Sequence, residues 1–120
     1  MIEDDGECIL KKAKEFVLAG KRRFVIRRER NYRQDLFDLG LGSSMVKVWE
    51  VICQLETGDM MKERELDDNG SCEWVYFYQK DMPNGTTAYI KLKVDEQRGC
   101  VCISFHPVEY GEKAINRTER

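Results

Sequence analysis

Two hydrophobic periods divide this chain, a helical one up to about residue 58 and an alternating one from residue 60 onward. Ile9, Leu10, Ala13, Phe16 and Val17 recur at helical spacing and predict a helix over 8–19, with Gly20 where a left-handed C-cap belongs and Lys11, Lys12 and Lys14 on the other face. The string RFVIR, with Phe24, Val25 and Ile26, suits a short strand by its aromatic and β-branched content. Charges on both sides of it suggest a sheet edge. A short helix is expected over 31–39, after which Gly40 and Gly42 break the chain and Ser43 or Ser44 caps the next helix. That next helix is the clearest element. Met45, Val48, Trp49, Ile52 and Leu55 fall at i, i+3, i+4, i+7 and i+10, one apolar stripe that ends near Thr57 and Gly58.

From residue 60 the pattern predicts strands. MKEREL is one candidate, followed by the turn DDNG, the aromatic-rich EWVYFYQK, the turn MPNG, the alternating TTAYIKLKV, the turn EQRG and the alternating CVCISFH. Short loops between strands make an antiparallel meander. Alternation directs Ala88, Ile90, Leu92 and Val94, together with Val101, Ile103 and Phe105, toward the helices. Tyr89, Lys91, Lys93, Ser104 and His106 then share the opposite face. The expected architecture is α+β, N-terminal helices packed on one face of a twisted antiparallel sheet. A single domain is expected over 1–110, with GEKAINRTER (111–120) as a polar C-terminal tail.

A length of 120 residues fits one core, and 42% hydrophobic with 35% charged residues excludes the composition of a disordered chain. No run approaches the roughly 18 apolar residues of a membrane span. The opening MIEDDGE lacks the positive and apolar regions of a secretory signal, so a cytoplasmic location is expected. The net charge of -2 conceals strong local differences: residues 21–33 sum to +6 and residues 34–72 to -6. Seven Lys or Arg in the thirteen residues KRRFVIRRERNYR, with Phe24 and Tyr32 between them, have the composition of a phosphate-contacting surface. A solvated face with compensated charge has the same composition. The five cysteines are an odd number with no secretion signal and read as reduced thiols. Cys100, Cys102 and His106 are the only cluster of metal-binding types, and on a strand Cys102 and His106 stand roughly 13 Å apart, too far for one ion. No metal or cofactor is expected.

A sheet face with a tyrosine, lysines and a histidine holds parts suited to RNA. Lysines neutralise phosphate, rings stack unpaired bases, and a histidine exchanges protons near neutrality. Metal-free RNA cleavage needs a base for the ribose 2′-OH, an acid for the leaving 5′-oxygen and cations for the charge that develops on phosphorus. Tyr89 and His106 are the candidates for proton transfer, and Lys62, Arg64 and Lys91 for the cations. The plainer reading is that alternation alone turns Tyr89 and Lys91 outward, and that Trp74, Tyr76, Phe77 and Tyr78 serve packing. There is no phosphate-binding glycine loop, nucleophile elbow or zinc-protease helix.

The order of elements and several strings resemble the MqsR family of toxins. They are LAG at Leu18 to Gly20 with the basic strand after it, DLGL at Asp38 to Leu41, VWEVICQL, the D-x-x-K string DMMK, AYIKLKV and the closing ISF. The resemblance runs from about Leu10 to His106. It implies a RelE-like fold and an endoribonuclease that cleaves single-stranded messenger RNA, held inactive by a cognate antitoxin that binds DNA and represses the operon. The family's lysine after the central helix falls on Lys62, and its tyrosine in the penultimate strand on Tyr89. Its glutamine on the first strand of the meander has no clear counterpart, since one alignment puts Tyr76 there and another Val75. Where the family's type member has a lysine after SF, this chain has His106.

The expected function is a metal-independent endoribonuclease toxin with Lys62, Tyr89 and His106 as catalytic residues. Arg22, Arg23, Arg27, Arg28, Arg64, Tyr76 and Lys91 are the expected RNA contacts. The rival is a non-catalytic binding module of the same fold, such as a phage-encoded inhibitor or regulator that uses the basic block to hold nucleic acid or an acidic protein.

Overall fold

A computed structural model describes residues 2–26, 30–66 and 74–108, with side chains from residue 7 onward except those of residues 62–64 and 66. Arg27, Arg28, the DDNG turn and the tail over 111–120 lie outside the described residues, as do the side chains of Lys62 and Arg64. The elements run α1 (Ile2–Leu18), β1 (Arg22–Phe24), α2 (Tyr32–Asp38), α3 (Met45–Cys53), a 3-10 turn at Thr57–Asp59, then β2 (Met60–Leu66), β3 (Trp74–Asp81), β4 (Thr87–Asp95) and β5 (Gly99–Pro107). The sheet order is β1-β5-β4-β3-β2. Among the described residues no helix is long and apolar enough to cross a membrane.

Each helix buries the stripe its spacing predicts. Leu10, Ala13 and Val17 of α1 and Val48, Trp49 and Ile52 of α3 join one core with Leu36 of α2 and with Leu39 and Leu55, which follow α2 and α3. Burying such a side chain contributes about 1.5–3 kcal/mol. The N-terminus of α2 is capped by Asn31, whose side chain accepts a hydrogen bond from Gln34 N at 3.2 Å. The helices cover the sheet face carrying Tyr76, Tyr78, Ala88, Ile90, Leu92, Cys100, Cys102 and Phe105.

The fold is α+β as expected, with two corrections. The sheet is mixed rather than antiparallel, because β1 adds in parallel beside β5, Arg22 facing Cys100 and Phe24 facing Cys102. Its place at the edge is the one its flanking charges suggest. The second correction lies in β5. Lys91 pairs with Ser104 but Leu92 pairs with Cys102, so Ile103 is the extra residue of a β-bulge. Beyond the bulge the faces exchange: Phe105 faces the helices as expected, whereas Cys100 and Cys102 replace Val101 there. Val101 is buried on the opposite face, across from Lys93.

Two turns hold the β5 end of the sheet. Gly99, at φ +83°, brings the chain against Lys21, whose carbonyl oxygen accepts from Cys100 N at 3.1 Å. Asp95 caps the β4–β5 turn, accepting from Gln97 N at 2.7 Å and from Arg98 Nε at 2.7 Å. The Gln97 amide and the Arg98 guanidinium together pull the Asp95 carboxyl down to about 2. A carboxyl depressed on folding stabilises the native state above its unfolded value near 4 and loses that contribution as pH falls through about 2. Asp95→Asn is therefore expected to flatten the pH dependence of stability between about pH 4 and pH 2, as read by urea unfolding at stepped pH.

Candidate functional site

Register assembles a compact polar grid on the sheet face turned away from the helices. Gln79 on β3 pairs with Tyr89 on β4, which pairs with His106 on β5. One step along, Phe77 pairs with Lys91, which pairs with Ser104. On β2 the backbone of Lys62 pairs with Phe77, which extends this second row by a strand. The face is fixed by the alternate residues Tyr78, Ile90 and Phe105, which point into the core. Adjacent strands stand about 4.8 Å apart, so each row brings three side chains into contact range.

The grid has depth and internal order. Gln79, Phe77, Ser104 and His106 are buried, while Tyr89 and Lys91 are half-buried. His106 Nδ1 lies 2.8 Å from the Pro107 carbonyl oxygen, which can only accept. That contact puts the proton of the neutral ring on Nδ1 and leaves the Nε2 lone pair as a base. The Tyr89 and His106 rings stand 5.0 Å apart at 38°, and Phe77 and Tyr89 stand 6.5 Å apart at 41°. Lys91 Nζ sits 5.6 Å from the Phe77 ring centroid, held over an aromatic face. An imidazole, a phenol, a cation and tilted ring contacts thus converge on one patch. Where β5 meets α2, a cavity of about 20 Å³ lined by Ser104 and His106 also touches Arg30 and Asp35. Arg30 grips both carboxylate oxygens of Asp35 at 3.0 Å.

Of the residues expected from sequence, Tyr89, Lys91 and His106 come together on this face. Arg23 faces Val101, so it lies on the same side of the sheet, exposed at the β1 edge. Arg22 and Tyr76 fall on the other side. Arg22 faces Cys100, donates to the Val17 carbonyl at 2.8 Å and stacks 5.6 Å from the Trp49 ring. Tyr76 faces Leu92 and belongs to the core, so its ring is not presented on the polar face. Lys62 and Arg64 lie on β2.

The bulge parts Cys100 and Cys102 from His106, the thiols facing the helices and the imidazole facing away. Among the described residues no group of three His, Cys, Asp or Glu side chains is placed to hold a metal ion. Burial pushes the Cys100 thiol up to about 12 and raises Cys102 as well, which removes both as nucleophiles near neutrality.

Gln79 was not foreseen, although a signal for it exists. With the MPNG turn centred between Asp81 and Thr87, which pair, counting two residues back and two forward sets Gln79 against Tyr89. A family model described as "Motility quorum-sensing regulator, toxin of MqsA" matches residues 6–107. No curated protein and no solved structure gives a match.

Proposed function

The chain belongs to the MqsR toxin family and is thus a toxin of a toxin–antitoxin system, and from that premise we propose that it is a metal-independent endoribonuclease acting on single-stranded messenger RNA in the cytoplasm. The observation that carries this reading is the anchored His106–Tyr89 pair: Nδ1 is held by the Pro107 carbonyl, and Nε2 is left as a base beside a phenol. In the proposed reaction His106 Nε2 takes the proton of a ribose 2′-OH, and the 2′-oxygen attacks the adjacent phosphorus. The bond from phosphorus to the 5′-oxygen breaks, and that oxygen is protonated by Tyr89, which recovers its proton from the imidazolium. Lys91 and Lys62 stabilise the charge that builds on the phosphoryl oxygens. Arg23, Arg27, Arg28 and Arg64 attract the RNA backbone. The partner that holds the toxin inactive is a cognate antitoxin of the MqsA kind, which also represses the operon.

This scheme leaves a 2′,3′-cyclic phosphate and a 5′-hydroxyl. Purified protein incubated in EDTA with a long single-stranded RNA is expected to yield those ends. Its affinity for the RNA should fall with salt, with a log–log slope of about -0.7 for each phosphate contacted. Products with 3′-hydroxyl ends that form only with magnesium overturn the scheme. RNA bound but left uncut, with translating ribosomes present as well, makes the protein a binding module.

A further inference from the structure

Buried polar groups in folded proteins are paired almost without exception, because an unmade hydrogen bond costs more than a made one returns. Gln79 departs from this rule twice over. Its side chain is fully buried at 0% exposure, and neither the amide nitrogen nor the amide oxygen has a hydrogen-bond partner among the described residues. It sits on β3, the middle strand of the β4-β3-β2 half of the sheet, where packing alone would favour a branched apolar residue. Its position is not arbitrary. Its cross-strand neighbour is Tyr89 and its neighbour along the strand on the same face is Phe77, two rings 6.5 Å apart.

We propose that Gln79 reads the edge of an unpaired RNA base next to the cut phosphate, which makes it a specificity-determining residue of the site. This rests on the endoribonuclease reading above. A primary amide offers one donor group and one acceptor side by side, and a nucleobase edge satisfies both at once, the pairing by which Gln recognises adenine bidentately. A phosphate oxygen satisfies only the donor, and a lysine or arginine only the acceptor. The half-buried ring of Tyr89 supplies stacking surface beside the amide, as single-stranded RNA recognition requires. Entry runs past Tyr89 and Lys91, the half-buried members of the grid. The unpaired amide is then a group kept at a cost to the free protein and satisfied by the substrate.

Gln79→Met keeps the volume and removes both polar atoms. Two readouts separate a substrate contact from a structural one. Thermal unfolding of the variant is expected to move up by about 3 °C or more, because an unsatisfied buried amide has gone. Cleavage is compared on four single-stranded RNAs that differ only in the base beside the cut. The parent is expected to prefer one base, and the variant to lose that preference by about tenfold or more. A variant that melts lower, one that keeps the parent's preference, a uniform loss on all four RNAs, or a parent with no preference overturns the proposal. If the parent cleaves no RNA, the functional reading fails by itself. Gln79 is then judged by anisotropy with four labelled homopolymers, where a parental preference lost in Gln79→Met supports base reading and equal binding overturns it.

Discussion

His106→Ala is expected to lower the rate of the proposed RNA cleavage by about 10²- to 10⁴-fold, the usual share of a positioned proton carrier. The size of the effect follows from how the ring is held. The Pro107 carbonyl orients Nδ1 and the Tyr89 ring packs beside the imidazole, so in the proposed reaction Nε2 would need no reorganisation. Alanine at a buried position also leaves a cavity, so His106→Gln is the companion variant. Gln fills the space and retains hydrogen bonding but transfers no proton. Both variants are expected to bind single-stranded RNA within a few-fold of the parent and to melt as folded proteins. Tyr89→Phe keeps both ring contacts and removes only the hydroxyl. If Tyr89 and His106 act as one unit, the double variant loses little more than the worse single one. Single-turnover cleavage at saturating enzyme decides the matter, and a His106→Gln protein that cuts at the parental rate removes the histidine from the chemistry.

Gly99→Ala has the largest expected effect on stability, a loss of about 3–5 kcal/mol from a domain whose total is about 5–15 kcal/mol. Two costs coincide at this position. The backbone sits at φ +83°, and an added Cβ would fall inside the van der Waals envelope of the Lys21 carbonyl, the same carbonyl that accepts from Cys100 N. The backbone cannot yield without releasing the β1–β5 pairing. Gly85 supplies the control. It has φ +92° in the β3–β4 turn with nothing within 4 Å of an added Cβ, so Gly85→Ala carries only the left-handed penalty of about 1–2 kcal/mol. Urea unfolding of the two variants side by side measures the difference. Equal losses at the two sites rule out close approach as the reason for Gly99.

Much of this architecture was legible in the sequence where one physical signal dominated. The stripe Met45, Val48, Trp49, Ile52 announced α3, and the alternation in TTAYIKLKV set the face of every residue in β4. Three features were not legible, each for its own reason. CVCISFH is apolar at both parities, so nothing in the string marks Ile103 as the residue where the faces exchange. β1 is three residues long between charges, too little to encode whether it pairs in parallel or antiparallel. EWVYFYQK is buried from Val75 to Gln79 on both faces, which erases the alternation that would have put Gln79 on the polar side and Tyr76 in the core. Tyr89 was recoverable because it lies between Ala88 and Ile90 on a cleanly alternating strand, and His106 because it follows Phe105 on the side of the bulge where the expected parity holds.

The position of β5 has a consequence for the order in which a ribosome delivers the chain. It lies between β1 and β4, so the first strand made must wait for the last of the described strands before it has a neighbour. Pairings this remote in sequence form late, since the entropy of closing the intervening chain must be overcome first. The same strand carries Ser104 and His106 on one face and the core residues Cys100, Cys102 and Phe105 on the other. A nascent chain stopped before residue 99 therefore lacks Cys100, Cys102 and Phe105 of its core, the partner of its edge and the imidazole of its polar grid together. Until that strand has been made, neither the edge pairing nor the polar face is complete.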